Sequence, residues 1–199
     1  MALLALPTTR PIRSADPTFE PISIAEAKKQ VGVAEGVSYH NEHLTALIKT
    51  SREQVEHDTG IVLATGTFTW KFTDWPCGDW FEIPSLRPVT SITTIVYTAS
   101  DGTSTTWSSS NYTLETSTVT PIVRLTYGNY WPTARGDING VTVTMVAGYS
   151  SALTIPASLK DLVKLQVQIG WHLANGEDAD ATTKGYERCL TRLMRSTYP

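Results

Sequence analysis

His40 and His43 stand three apart in the segment YHNEH, a spacing that sets two imidazoles on one helix face, where they could share a metal ion or relay a proton. A metal site needs further ligands. No acidic residue or third histidine accompanies the pair at a familiar spacing, so both read as solvated residues near a helix start. His57 and His172 are isolated and read as surface or boundary residues. Glu53 and Glu56 could form an acid–base pair, but the helical period assigns them to the outer face of an amphipathic segment, where carboxylates are solvated. Cys77 and Cys189 lie in different parts of the chain and provide neither a disulfide framework nor metal spacing; they read as free thiols of a reducing compartment. The nucleophile elbow, the phosphate loop and the dinucleotide fingerprint are all missing from the sequence. No catalytic, cofactor-binding or metal-binding residue is therefore predicted, and the chain is not expected to be an enzyme.

What remains is the chemistry of contact. Of six tryptophans, Trp70, Trp75, Trp80, Trp107 and Trp131 crowd into the middle of the chain. Trp70 and Trp107 are expected in a core. Trp75-Pro76-Cys77-Gly78-Asp79-Trp80 carries two indoles on a Pro-Gly turn, which predicts a hairpin tip whose rings either meet a partner or fold back on their own module. Lys184, Arg188, Arg192 and Arg195 follow one another at helical spacing and form one basic stripe. A solvated face that complements the negative helix C-terminus explains it, and so does a docking surface for an acidic partner. Arg135-Gly136-Asp137 resembles an adhesion tripeptide, yet Gly136, Asp137, Asn139 and Gly140 are turn formers, and a hairpin loop is the reading adopted.

The elements that position these residues can be read from periodicity. Pro7, Pro11, Pro17 and Pro21 exclude helix and central strand from the start of the chain, predicting an extended arm over residues 1–22. The apolar MALLAL lacks a basic leader and is cut short by Pro7, which argues against a secretory signal. Ser23 and Glu26 form a capping-box pattern that opens a short helix to about Val33. Leu44, Leu47, Ile48 and Val55 predict a second helix over 38–59, stopped by Gly60. Residues 61–150 then hold nineteen threonines and only ten charged residues, and the apolar period drops to two. Strands are expected around 68–72, 80–83, 91–98, 104–107, 111–115, 122–127 and 141–147, with a turn at Asp101-Gly102. Pro156 opens a third helix whose Leu159, Leu162, Val163, Ile169 and Leu173 should face inward, and Asn175-Gly176 closes it. A last helix over about 183–196 turns Tyr186, Leu190, Leu193 and Met194 inward, after an acidic loop in EDADATTKGY. The predicted fold is α+β: a small helical bundle from both chain ends (23–62 and 152–199) with an inserted antiparallel β-sandwich or barrel-like module over 63–151.

The totals agree with a globular chain. At 199 residues it can bury roughly 70% of its unfolded surface. A net charge of −3 and a mean hydropathy of −0.13 fit neither a phosphate-neutralising protein nor a membrane-spanning one.

The segments EPISIAEAKKQV, EQVEHDTGIVL, IPSLRPVTSITTIVYTASDG, YWP, VTVTMVAGYSS and IPASLKDLVKLQVQIGWHL, in this order over residues 20–175, resemble the head-tail connector (adaptor, or head-completion) proteins of tailed bacteriophages. The resemblance implies a structural virion protein of the neck, present in the host cytoplasm during assembly. Neighbouring copies would form a ring, dodecameric by the resemblance, beneath a portal protein. A tail-side neck or tail-terminator protein would follow, and DNA would pass through the lumen without sequence-specific binding. The family supplies no catalytic residues and no cofactor. Lys184, Arg188, Arg192, Arg195, Trp75 and Trp80 are then candidates for partner contact. The alternative reading is a tryptophan-rich β module that binds carbohydrate or a host surface.

Overall fold

The computed structural model describes residues 10–83, 86–118 and 120–197; the apolar beginning of the expected arm, residues 1–9, lies outside them. The fold is α+β, with four α-helices and two antiparallel sheets among the described residues. It divides into two compact units, one holding residues up to Asp16 together with Thr65–Gly148, the other Pro17–Ala64 together with the chain from Tyr149 onward.

The second unit is helical. Its α1 (Ile24–Gln30) starts where the sequence places a capping box: the Glu26 N–H donates to Ser23 Oγ at 3.2 Å, and the Ser23 N–H donates back to Glu26 Oε2 at 2.8 Å. Helix α2 (Asn41–Thr59) ends at Gly60, whose φ of 65° lies in the left-handed region that glycine enters without penalty. Helices α3 (Ala157–Ala174) and α4 (Asp180–Thr197) follow the β region in sequence and return to the same core. Ala27 of α1, Leu44, Ile48 and Val55 of α2, Leu162, Val163 and Val167 of α3 and Tyr186 of α4 are all buried in one cluster. Both chain ends thus build one apolar interior, since none of these helices buries enough surface alone.

Several expectations need correction. Helix α1 stops at Gln30, and α2 begins at Asn41. Helix α4 begins at Asp180, so part of the expected acidic loop is its first turn, with the Asp180 N–H held by Asp178 Oδ1 at 2.8 Å. Leu173 is 67% exposed, because the apolar stripe runs out in the last turn of α3. The larger correction concerns α2. Arg52 is 1% exposed, and Glu56 is no solvated bystander. Arg52 donates from Nε to Glu20 Oε2 at 2.9 Å, from Nη1 to Glu56 Oε2 at 3.1 Å and from Nη2 to Glu53 Oε1 at 3.4 Å. The other oxygen of Glu56 accepts the Leu63 N–H at 2.8 Å.

The first unit is a two-layer β structure. A five-stranded sheet runs in the order β1 (Ile12–Arg13), β2 (Gly66–Phe72), β8 (Val141–Ala147), β4 (Val89–Thr98), β5 (Ser104–Trp107). A three-stranded sheet runs β3 (Trp80–Glu82), β7 (Ile122–Leu125), β6 (Tyr112–Glu115). Strand β8 shows why alternation was legible: Val141, Val143, Met145 and Ala147 are buried, while Thr142, Thr144 and Val146 between them are half-exposed. Aromatic rings from the two sheets meet between the layers, Trp70 and Phe81 at 6.3 Å and Trp107 and Tyr112 at 5.3 Å. Part of the expected N-terminal arm is itself a strand, Ile12 and Arg13 pairing with Thr69 and Phe68.

The loop holding Arg135-Gly136-Asp137 is not a hairpin. It joins β7 in one sheet to β8 in the other, and Ala134 bridges to Ala99 at the end of β4. Strand β7 stops at Leu125, two residues before its expected end.

Candidate partner-binding surfaces

Helix α4 presents its basic residues as the spacing requires. Tyr186, Leu190 and Leu193 pack toward the helical core, which leaves Lys184, Arg188, Arg192 and Arg195 exposed. The helix is anchored by Tyr186, whose hydroxyl donates to Asp58 Oδ2 of α2 at 2.5 Å. Burial, and then this bond to a carboxylate, push the Tyr186 hydroxyl pKa far above its ordinary value. Among the described residues Lys184 is engaged only by a long contact to Asp180, 3.9 Å, with both side chains in solvent. Arg188, Arg192 and Arg195 border a groove of about 430 Å³ with Glu187 and Thr191, and no described carboxylate pairs with them. Three guanidiniums on one exposed face can take a carboxylate-rich segment by bidentate hydrogen bonds.

The two indoles of the expected tip go separate ways. Trp75 is buried, stacked on Trp131 at 4.9 Å and 14° and lying 5.3 Å from Trp107. Its position inside this aromatic cluster removes it from the exposed-tip expectation. Trp131 ties the turn down as well, donating from Nε1 to the Gly78 carbonyl at 2.6 Å. Trp80 remains 49% exposed at the start of β3, paired across the sheet with Arg124. With Trp70, Trp75 and Trp107 all buried, the tryptophans make a core, and the exposed stacking platform of the carbohydrate reading is absent at these positions.

Sequence reasoning missed a neighbouring feature. Just past β7, Tyr127 is fully exposed and Tyr130 84% exposed, beside a cleft of about 340 Å³ lined also by Asp79, Arg124, Leu125 and Asn129. The signal was Tyr127-Gly128-Asn129-Tyr130, a turn flanked by two aromatics, obscured when Tyr127 was assigned to a strand. Ile138, 81% exposed in the β7–β8 loop, was likewise passed over.

Two of the four histidines meet one tryptophan ring. His40 meets Trp171 edge-on at 4.9 Å, and His43 stacks on it at 5.7 Å. His57 is exposed beside Asp58, and His172 contacts Glu177 and Gln168. Among the described residues no three His, Cys, Asp or Glu side chains gather as a metal would require. Cys77 and Cys189 are both exposed, and neither is in a disulfide. No described helix is long and apolar enough to cross a membrane.

No protein-family model matches the sequence, and comparison with curated proteins gives no match. Solved structures do share the fold. A chain from the "neck of empty GTA particle computed with C6 symmetry" is similar with a TM-score of 0.69 and 18% identity, over 82% of this chain and 84% of that one. A chain from the virion of a native gene transfer agent (GTA) particle gives 0.70 at 17% identity, over 82% and 84%. A chain from the neck of the native particle, computed with C12 symmetry, gives 0.66 at 18% identity, over 83% and 84%. At such identities it is the fold that is shared.

The likeness is to nearly the full length of those chains, so it takes in both the helical and the β unit. The roles of the exposed faces described above rest on their own geometry.

Proposed function

We propose that this chain is a structural protein of a phage-type neck, several copies forming a ring beneath a portal and joining head to tail while DNA passes through the lumen. The observation that carries this reading is the shared fold, over more than four fifths of both chains, with components of GTA necks and virions. The resemblance of the ordered segments between residues 20 and 175 to head-tail connectors supports the same reading independently. A role of this kind asks for surfaces more than for reactive groups, and the described surface offers a basic stripe, an aromatic cleft and an exposed isoleucine on a loop.

In this reading Arg188, Arg192 and Arg195 dock an acidic surface of the portal. Many equivalent contacts around a ring sum by avidity, so each one can be weak. Negative-stain imaging of the full chain mixed with portal tests the proposal: rings seated on the portal are expected, and bare portals at every concentration would overturn it. Replacing the three arginines by glutamine is expected to weaken co-sedimentation with the portal about tenfold, or 1.4 kcal/mol. Unchanged co-sedimentation would move the portal contact elsewhere on the chain.

A further inference from the structure

We propose that Ile138 is the knob of a contact between neighbouring copies and seats in the next copy's cleft beside Tyr127 and Tyr130. This rests on the ring reading and adds to it which faces close the ring.

The knob is displayed on a fixed loop. Arg135 is anchored by its N–H to the Thr98 carbonyl at 3.0 Å, and the Gly140 N–H closes the turn on the Asp137 carbonyl at 2.8 Å. A Cβ at Gly140 would sit 2.9 Å from the Thr73 carbonyl oxygen, so only glycine lets the loop return to β8 there. Ile138 at the turn's apex is left 81% exposed, an apolar side chain on a backbone tied on either side of it. Little ordering entropy remains to be lost when such a group binds.

The cleft offers the complement. Tyr127 and Tyr130 leave their rings uncovered above it, and burying aromatic surface of this kind dominates contact energetics. The charges match as well. Ile138 is flanked by Arg135 and Asp137, whose mutual ion pair of 3.3 Å is about half exposed at both ends and so is exchanged at small cost. The cleft carries Asp79 and Arg124, one of each sign, and no described ion pair engages either. An acid and a base beside the knob can thus meet a base and an acid beside the cleft.

The two features are anchored at different places on the β unit. The knob hangs from the end of β4, whereas the cleft is held by the Asp79 and Asn111 carbonyls, which accept the Leu125 and Thr126 N–H groups at 2.8 and 2.9 Å. Two distinct, complementary patches can make a head-to-tail contact, the kind that closes into a ring; a twofold dimer would need both knob-and-cleft pairs to form at once across one axis.

The test uses the full chain with Cys77→Ser and Cys189→Ser, adding Ile138→Cys and Asn129→Cys. Mild oxidation of rings assembled on portal is expected to give a ladder of covalent multimers that neither single-cysteine chain produces. Rings that form without a ladder overturn this contact and leave the neck reading standing; failure to form rings in the unsubstituted chain removes both. A charge test complements it. Arg124→Asp is expected to raise the concentration needed for ring assembly about tenfold, and adding Asp137→Arg to recover most of it. No recovery by the second reversal overturns the pairing.

Discussion

Arg52 shows at the scale of one residue how a charge can be part of a core. Its guanidinium satisfies three carboxylates, two of which tie other segments to α2: Glu20 ahead of α1, and Glu56, which in turn holds the Leu63 N–H. Arg52→Ala leaves those carboxylates crowded without their cation, and breaking a buried pair this way costs about 3–5 kcal/mol. Because Glu20 and Glu53 keep some solvent, a value near the lower end, about 3 kcal/mol, is expected in urea unfolding. Arg52→Lys keeps the charge but not the fork, and should fall between the two; its equality with wild type would mean that the fork adds nothing beyond the charge. The burial was legible, for Ile48, Arg52, Val55 and Thr59 are spaced four, three and four apart on a single face. Treating every charge as solvated hid it. Tyr186 makes a second test. Tyr186→Phe removes its bond to Asp58, which also accepts from Gln54, so a loss of about 1–2 kcal/mol is expected. The pH dependence has a definite sign. The folded pKa is raised, so the stabilisation is complete below the unfolded value near ~10 and declines as pH rises above it, when the unfolded tyrosine ionises first. Stability measured between about pH 8 and 11 should fall less in Tyr186→Phe than in wild type.

At the scale of the element, α1 depends most on its first turn, having only seven residues. Ser23→Ala removes one half of the capping box and is expected to lower stability by about 1 kcal/mol at neutral pH, read from the denaturation midpoint. The Ser23 backbone N–H, then its hydroxyl, together with Lys164 and Lys160 nearby, hold the Glu26 carboxyl below its ordinary value of 4.5 against a smaller opposing effect of burial. With the folded pKa depressed, the contribution is present above pH 4.5 and lost as pH falls through the lower folded value. Glu26→Gln should accordingly differ from wild type at neutral pH and converge with it in acid; a constant gap across that window would assign the effect to shape alone. Caps and period-two strands were legible because each is fixed by neighbours in sequence: Ser23 with Glu26, Gly60 after Thr59, the alternating valines and threonines of β8. Sheet membership was not. Nothing local tells β7 that it pairs with β3 and β6 while β8 pairs with β2 and β4, and so the loop between them was taken for a hairpin. Trp75 folds back on its own module, one of the two placements its turn left open, and nothing local could choose between them, since its burial depends on Trp107 and Trp131, far off in the chain.

At the scale of the whole molecule the order of segments, helices then strands then helices, carried more than any single motif: it implied one helical core from both ends, and Leu44, Val55, Leu162 and Tyr186 do share one. Molecular charge makes the last prediction. In the proposed ring DNA must slide without being held, and non-specific affinity for a duplex grows with the number of phosphates neutralised. The chain carries a net −3, and three of its exposed arginines stand together on α4. Full-length protein and a short fluorescein-labelled duplex are therefore expected to show a Kd weaker than ~10⁻⁴ M at physiological salt by anisotropy, at the weak end of non-specific binding. If the three arginines of the stripe touched DNA, log K would fall with log salt with a slope of about −2.7, and Arg188→Gln, Arg192→Gln and Arg195→Gln together would flatten it. A Kd near ~10⁻⁶ M with that slope would turn the stripe toward the lumen and away from a protein partner. Weak binding that is unchanged by the three substitutions is the result required of a stripe that faces an acidic protein, because only then can the same ring grip its portal and release its DNA.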